Sequence, residues 1–331
     1  MLTPPDGFSE DALVEVLAAH WRLDVVAIGY SAVGFGSHHW DVTDAAGVRW
    51  FVTVDELQKR REWLAEPLDA ALARLGRALG VAIELRACGC EFVVAPIASH
   101  AGEPIVLAAD QFAVAVYPNV AGRSFEWGEF SSQEHRQAVL ELVVSVHQAP
   151  EPVRGLALAD SYGVPKRDEL EAVLDGTQDQ AAEAGPYAGP MRRLLAESGA
   201  GIRAALRRYD RLVSQASGMP ARSVLTHGEP HAGNTMLTDD GWRLIDWDTT
   251  LVAPPERDLW MLDPGDGSAL ASYAAATGVE PVPAVLDLYQ ARWDLTDVAL
   301  EVSRFLWPHK GTGEDDKAWQ ILVDLAGQIG A

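Results

Sequence analysis

The sequence predicts an α+β protein in two lobes: an N-terminal antiparallel sheet with one helix, then a larger, mainly helical C-terminal lobe. Three observations predict it. The first third alternates short β-like apolar runs with glycine and polar punctuation. From about residue 131 the apolar spacing changes to the three-and-four repeat of helices. A chain of 331 residues with 48% hydrophobic content can fill two moderate cores, at roughly 150 residues each.

The segment "MLTPPDGFSEDALVEVLAAHW" reads as a short amphipathic helix begun by Ser9. Acids precede its apolar residues and it lacks the basic stretch of a signal peptide. Then come "DVVAIGY", the glycine-rich "SAVGFGS", "HHWDVTD", a turn at Ala46-Gly47 and "VRWFVTV": strand, glycine loop, strand, turn, strand. "EPLDAALARLGRALG" spaces Leu68, Leu72, Leu75 and Leu79 as a helix, and the apolar runs "EFVVAPI" and "QFAVAVY" read as further strands. These elements make an N-terminal lobe of residues 1–116, followed by a hinge at 117–120 and a C-terminal lobe at 121–331.

The second lobe opens with "SSQEHRQAVLELVVSVHQ", where Ser131 and Glu134 have capping-box spacing and Val139, Leu142, Val143 and Val146 share a face. Residues 150–222 are Ala-rich and charged, suited to helices joined by loops. "SVLTH" then reads as a strand, and "NTMLT" and "WRLIDW" flank the turn "DDG" as a hairpin whose tail carries Asp246. "YQARWDLTDVALEVSRFL" stacks Leu295, Val298, Ala299, Val302, Phe305 and Leu306 on one helical face.

The formal charge of −22 repels phosphate backbones and anionic lipid surfaces, which argues against nucleic acid and membranes as partners, and it suits a polycationic small molecule. No apolar run approaches the ~20 residues that span a bilayer, so a cytoplasmic protein is expected. Cys88 and Cys90, one residue apart, suit neither a disulfide framework nor a structural zinc site and are expected as reduced thiols.

The chemistry concentrates in "LTHGEPHAGN". Moving the γ-phosphoryl group of a nucleotide needs a metal on hard oxygen ligands, a carboxylate near the accepting hydroxyl and contacts for the triphosphate. His227, Glu229 and Asn234 lie within eight residues after a strand, and Asp246 follows twelve residues later across a hairpin. An amide oxygen and a carboxylate at that separation suit one Mg²⁺, and a carboxylate five residues before the Asn can face an acceptor. His227 and His231, four apart, lack the third ligand and intervening glutamate of a metalloprotease helix.

"HGEPHAGN" with "LIDWDTTLVAPPERDL" resembles the aminoglycoside phosphotransferase family of protein-kinase-like small-molecule kinases, and within it the spectinomycin phosphotransferases. The family pattern HxDxxxxN, an IDxxx segment and a later RDL is met at His227, Asn234, Ile245, Asp246, Arg257, Asp258 and Leu259. The resemblance implies a protein-kinase-like two-lobed fold, Mg²⁺ as cofactor and ATP or GTP as co-substrate. It further implies phosphorylation of a hydroxyl on a cationic small molecule, such as an aminoglycoside or aminocyclitol antibiotic, and so antibiotic resistance. By the same resemblance Asn234 and Asp246 bind the metal, Asp248 lies near it, Glu229 takes the catalytic carboxylate position, and His227 and Asp258 hold the loop. Gly34, Gly36 and Ser37 let backbone N–H groups approach the phosphates, and the hinge around Tyr117 and Asn119 offers backbone groups to the purine. The resemblance also implies that Asp294 and Asp297, one helical turn apart with Glu301 beyond, receive substrate ammonium groups.

Two positions depart from the family. Glu229 replaces its Asp and moves the carboxylate by roughly 1 to 1.5 Å, a shift of the size that can cost ~10²-fold in rate. Phosphoryl transfer depends on positioning and electrostatics more than on proton abstraction, so a glutamate can still orient the hydroxyl. The family's phosphate-binding lysine aligns with Thr53, and no lysine occurs in the first 58 residues. A substitute cation can come from Lys59, Arg60, Arg61 or His38, and Glu66 or Asp69 stands where a pairing acid is expected. Together the departures open an alternative function, a pseudokinase that binds nucleotide or a small molecule without turnover.

Overall fold

The computed structural model describes residues 1–34, 36–177, 184–219 and 222–330, which leaves Phe35 of the glycine loop outside the description. In chain order the first elements are α1 (Glu10–Trp21), β1 (Val25–Ser31), β2 (His38–Asp44), β3 (Arg49–Glu56), α2 (Leu68–Ala87), β4 (Val106–Ala108) and β5 (Phe112–Pro118). Next come β6 (Arg123–Ser124), α3 (Gln133–His147), α4 (Glu151–Arg154), β7 (Leu158–Ala159), α5 (Arg167–Leu174), α6 (Ala188–Ser217) and β8 (Val224–Thr226). After a 3₁₀ turn at Ala232–Asn234 follow β9 (Thr235–Thr238), β10 (Gly241–Leu244), β11 (Leu251–Ala253), α7 (Glu256–Leu262), α8 (Ser268–Thr277), α9 (Pro283–Leu306) and α10 (Gly313–Gly330). This is the expected α+β mixture. It packs as two compact units, one of Met1–Arg60, Leu68–Asp160 and Arg222–Pro281, the other of Arg61–Pro67, Ser161–Ala221 and Val282–Ala331.

In the first unit, β1-β2-β3-β5-β4 form a five-stranded antiparallel sheet. α1 begins where expected, with the Ser9 hydroxyl accepting the Ala12 N–H at 3.1 Å. Its buried Leu13 and Leu17 pack with Val52 and Val54 of β3 and Val114 and Val116 of β5. Alternation then turns Phe51, Thr53 and Asp55 to the opposite face, where Ala113 and Ala115 join the core of α2. β4 was not visible in the sequence, because three residues are too few to display alternation.

The expected strand at "EFVVAPI" does not form. Val93 makes one isolated bridge to Leu244, Val94 donates to the Leu244 carbonyl, and Ile97 donates to that of Val116. Pro96 between them has no N–H, so the segment ties together two different partners instead of extending a ladder. The capping box on Ser131 and Glu134 is also corrected. Ser132 caps α3 by accepting the His135 N–H at 3.1 Å, which puts a histidine where the box needs an acid.

Two three-stranded sheets complete the first unit. β10-β9-β6 contains the expected hairpin, and β7-β11-β8 joins the strand before the His227–Asn234 loop to the chain after the hairpin. In the second unit α9 packs on α5, α6 and α10, burying the six-residue stripe that its periodicity predicted. Cys88 and Cys90 are free thiols. Among the described residues no helix is long and apolar enough to cross a membrane.

Candidate active site

The loop after β8 is held from below by one carboxylate. Asp258, fully buried at the start of α7, accepts the His227 N–H at 2.9 Å and the Gly228 N–H at 2.6 Å, and it meets His147 Nε2 at 3.0 Å. Burial alone would raise its pKa. The hydrogen bond and charge of His147, with Arg257 and His227, outweigh that and hold the carboxyl below the usual range. His147 is anchored in turn, its Nδ1 lying 2.9 Å from the Tyr273 hydroxyl. Neither His147 nor Tyr273 was singled out from the sequence, since a lone helical histidine gives no signal of its partner 111 residues away.

His227 adds a second brace. Its Nε2 donates to the Ile245 carbonyl at 2.9 Å while Nδ1 accepts the Glu229 N–H at 3.2 Å. One ring nitrogen donating and the other accepting describes a neutral imidazole, in keeping with the burial that lowers its pKa. The ring thereby ties the loop after β8 to the residue just before Asp246. Gly228 between them has φ +105, and a Cβ there would lie 2.4 Å from the Arg257 guanidinium. That guanidinium is fixed to Thr226 Oγ1 at 2.9 Å and the Thr249 carbonyl at 2.7 Å, so only glycine fits.

The side-chain amide of Asn234 donates to the Glu229 carbonyl at 3.0 Å, and the Asn234 carbonyl accepts the Ile245 N–H at 2.9 Å. Glu229, Asn234 and Asp246 are thus joined through backbone within one small frame. Asp246 has φ 65, a left-handed conformation uncommon outside glycine and one that aspartate tolerates better than most. Its carboxyl is pushed well above its ordinary pKa by burial, then by the charges of Asp248 and Glu229, with Arg60 opposing. Among the described residues no group of three His, Cys, Asp or Glu side chains is placed to hold a metal alone.

His231, on the same loop, stands 3.9 Å from a Glu229 carboxylate oxygen. Burial, then the charge of His227, lower its pKa to about 4. It makes no metalloprotease pair with His227, which is occupied at both nitrogens.

Opposite the loop, Gly34 and Gly36 have φ +66 and +85, so the glycine loop takes turns that other residues resist. Ser37 is buried and donates to Asp55 Oδ1 at 2.8 Å. Thr53 lies in the middle of the sheet, paired with His39 and Ala115, and two residues along the same strand Asp55 holds the cation Arg60. Its Nε and Nη2 reach Asp55 Oδ1 at 2.8 and 2.5 Å, Nη2 also reaches Ser37 Oγ at 2.8 Å, and Nη1 reaches Asp248 at 2.7 Å. Of the other sequence candidates, Lys59 and His38 both bind Glu56, at 2.6 and 2.9 Å. Arg61 belongs to the second unit and donates to the Leu64 carbonyl. Of the two expected pairing acids, Asp69 accepts the Ala70 N–H at 3.0 Å, and Glu66, in the second unit, accepts that of Glu62 at 2.5 Å.

Tyr117 is the last residue but one of β5, its phenol pushed well above the usual pKa by burial and then by Asp246, Asp55 and Asp248. Asn119 donates its N–H to the Arg49 carbonyl at 3.3 Å and its side-chain amide to Asp41 at 3.3 Å. Asn119 thereby braces the sheet, and Tyr117 lies within the field of the acid cluster.

In the second unit, Asp294, Asp297 and Glu301 lie half-buried along α9. Burial, then Glu301 and Asp294, raise the Asp297 pKa to about 7, and burial also raises Asp294. Arg304 pairs with Glu301 at 3.0 Å. Trp307, though 39% exposed, donates to buried Glu169 at 3.1 Å.

A sequence model of the phosphotransferase enzyme family (APH) matches residues 32–299. Protein StrN of Streptomyces griseus is 30% identical over 252 residues, 73% of this chain and 74% of that protein. Spectinomycin phosphotransferase, solved with ADP and spectinomycin, superposes with TM-score 0.69 at 15% identity, covering 98% of this chain and 99% of that one. Choline kinase LicA from Streptococcus pneumoniae superposes with TM-score 0.61 at 12% identity, covering 96% and 99%. At those identities the superpositions speak to fold.

Proposed function

Because the chain belongs to the phosphotransferase enzyme family, we propose that it moves the γ-phosphoryl group of ATP or GTP to a hydroxyl of a cationic small molecule, an aminoglycoside or aminocyclitol such as spectinomycin. The observation that carries the reading is the frame just described: Asp258 and His227 clamp a loop that presents Glu229 and Asn234 beside Asp246. Glu229 orients the acceptor hydroxyl and accepts its proton, Asn234 and Asp246 supply oxygen ligands, and Gly34 and Gly36 open backbone N–H groups to phosphate.

The donor set fits Mg²⁺. This ion takes one or two carboxylates and completes its shell with water and phosphate, so a protein cage of three acids is not required. Asp246 is disfavoured as an anion by burial and by the neighbouring charges of Asp248 and Glu229, and a dication relieves that penalty. When bound, Mg²⁺ neutralises charge on the phosphates. The half-buried acids Asp294 and Asp297 are assigned to the ammonium groups of the acceptor. Spectinomycin in the solved phosphotransferase complex supports that acceptor class.

The test is a nucleotide-consumption screen over aminoglycosides, spectinomycin, macrolides and small amino alcohols. One or more acceptors are expected to be turned over, and Asp246→Ala to lower that rate by at least ~10³-fold with its melting temperature little changed. Nucleotide binding with no turnover on any acceptor would replace this reading with the binder that Thr53 and Glu229 suggest.

A further inference from the structure

We propose that Arg60 is the residue of this chain that grips the nucleotide phosphates, and that Asp55 and Ser37 form its mount. The inference rests on the phosphotransferase reading and adds to it the cation that the sequence lacks at Thr53. Arg60 stands at the end of the turn after β3. Its backbone carbonyl accepts Arg74 Nη2 of α2 at 2.7 Å, so its main chain is fixed. Its side chain is three-quarters buried, at 25% exposure, and lies between the glycine loop on one side and Asp248 on the other.

The arrangement is built for a cation aimed in one direction. Asp55 is on the same face of β3 as Thr53, two residues along. One oxygen of Asp55 accepts Nε, Nη2 and the Ser37 hydroxyl, and the same hydroxyl accepts Nη2. This triangle fixes the plane of the guanidinium and joins it to the glycine loop through Ser37. A Cβ at Gly36 would lie 3.7 Å from Nη2, in ordinary contact, so the loop passes within a side chain's reach of the guanidinium. The remaining edge, Nη1, points to Asp248 at 2.7 Å, beside the Asp246 whose field it also feels. A planar guanidinium presents paired N–H donors that match phosphate oxygens better than an ammonium does.

The mount explains why a lysine at position 53 is dispensable. A strand lysine needs an acid brought to it by a separate helix. Here acid and cation are five residues apart on one turn, so the pair forms without any second element moving. Nη1 is held by Asp248 at 2.7 Å, and phosphate oxygens would compete for that edge.

Binding of ATP, ADP and adenosine to the full chain, measured by calorimetric titration without acceptor, tests this apart from turnover. Arg60→Ala is expected to weaken ATP by roughly 10- to 100-fold, the loss of a charged hydrogen-bond partner, and to leave adenosine within about twofold. Adding Thr53→Lys to Arg60→Ala is expected to restore most of the preference for ATP over adenosine. If Arg60→Ala does not fold, Arg60→Ala with Asp55→Asn removes cation and mount together and is read the same way. An ATP-to-adenosine preference that matches the unaltered protein in these variants overturns the proposal. Failure of the unaltered protein to bind ATP would instead overturn the phosphotransferase reading on which it rests.

Discussion

At the scale of single residues, the site depends on positions where one atom more is one too many. Gly228 is the clearest. Its φ of +105 is a region L side chains rarely adopt, and the Arg257 guanidinium fills the space where a Cβ would sit. The guanidinium cannot retreat without giving up Thr226 Oγ1 and the Thr249 carbonyl. Gly228→Ala should therefore cost on the order of 3 kcal/mol, from backbone strain plus a displaced buried hydrogen bond, and should lower turnover by distorting the Glu229 loop. Urea denaturation with parallel rate measurements checks it; a variant as stable and as active as the parent would mean the loop absorbs the methyl. Glu229 itself was legible because HxDxxxxN tolerates one changed letter without losing its spacing. Arg60 was only one of four possible cations, because "QKRRE" gives no sign of which one turns inward, and the choice is made by Asp55, five residues back, together with Ser37, distant in sequence and adjacent in space.

At the scale of elements, what repeats was legible and what depends on a single partner was not. The β9–β10 hairpin follows from its turn residues, and α9 from a stripe of six apolar side chains. The segment around Pro96 failed as a strand because its apolar content serves two separate contacts, and α3 began one residue late because the second of two adjacent serines won the cap. α9 also carries a testable titration. Asp297 has its pKa raised from 3.8 to about 7, chiefly by burial and then by Glu301 and Asp294, with Arg304 opposing only at Glu301. Between those values the unfolded chain releases a proton that the native state keeps, so stability falls as pH rises, by at most about 1.4 kcal/mol per unit. Below that window both states are protonated, and above it the full penalty is in place. Asp297→Asn lacks the term, so its melting temperature should gain on the parent steadily from pH 4 to 7. Parallel curves would show that Asp297 titrates normally. The same ionisation should lower the KM for a cationic acceptor as pH rises through 7 in the parent and not in the variant.

For the whole molecule, the net charge of −22 sets opposite problems for the two proposed substrates. A field of that sign concentrates a cationic acceptor near the surface and repels a nucleotide that stays anionic even with Mg²⁺ bound. Local structure has to offset that repulsion where the phosphates land. Arg60, held between Asp55 and Asp248, supplies a fixed positive edge inside an otherwise acidic site. Salt separates the distant field from the local contacts, since screening falls from about 10 Å at 0.1 M to about 3 Å at 1 M and leaves pairs at 2.7 Å largely intact. Raising potassium chloride from 0.05 to 0.5 M should therefore raise the KM of a di- or tricationic acceptor several-fold, while the KM of the nucleotide stays level or falls. Steady-state kinetics with each substrate varied in turn reads both signs in one experiment. Two KM values rising together would mean that salt acts on shared contacts and that the net charge is a matter of solubility alone. Opposite movement would mean that the acidic surface gathers one substrate while a single buried arginine admits the other.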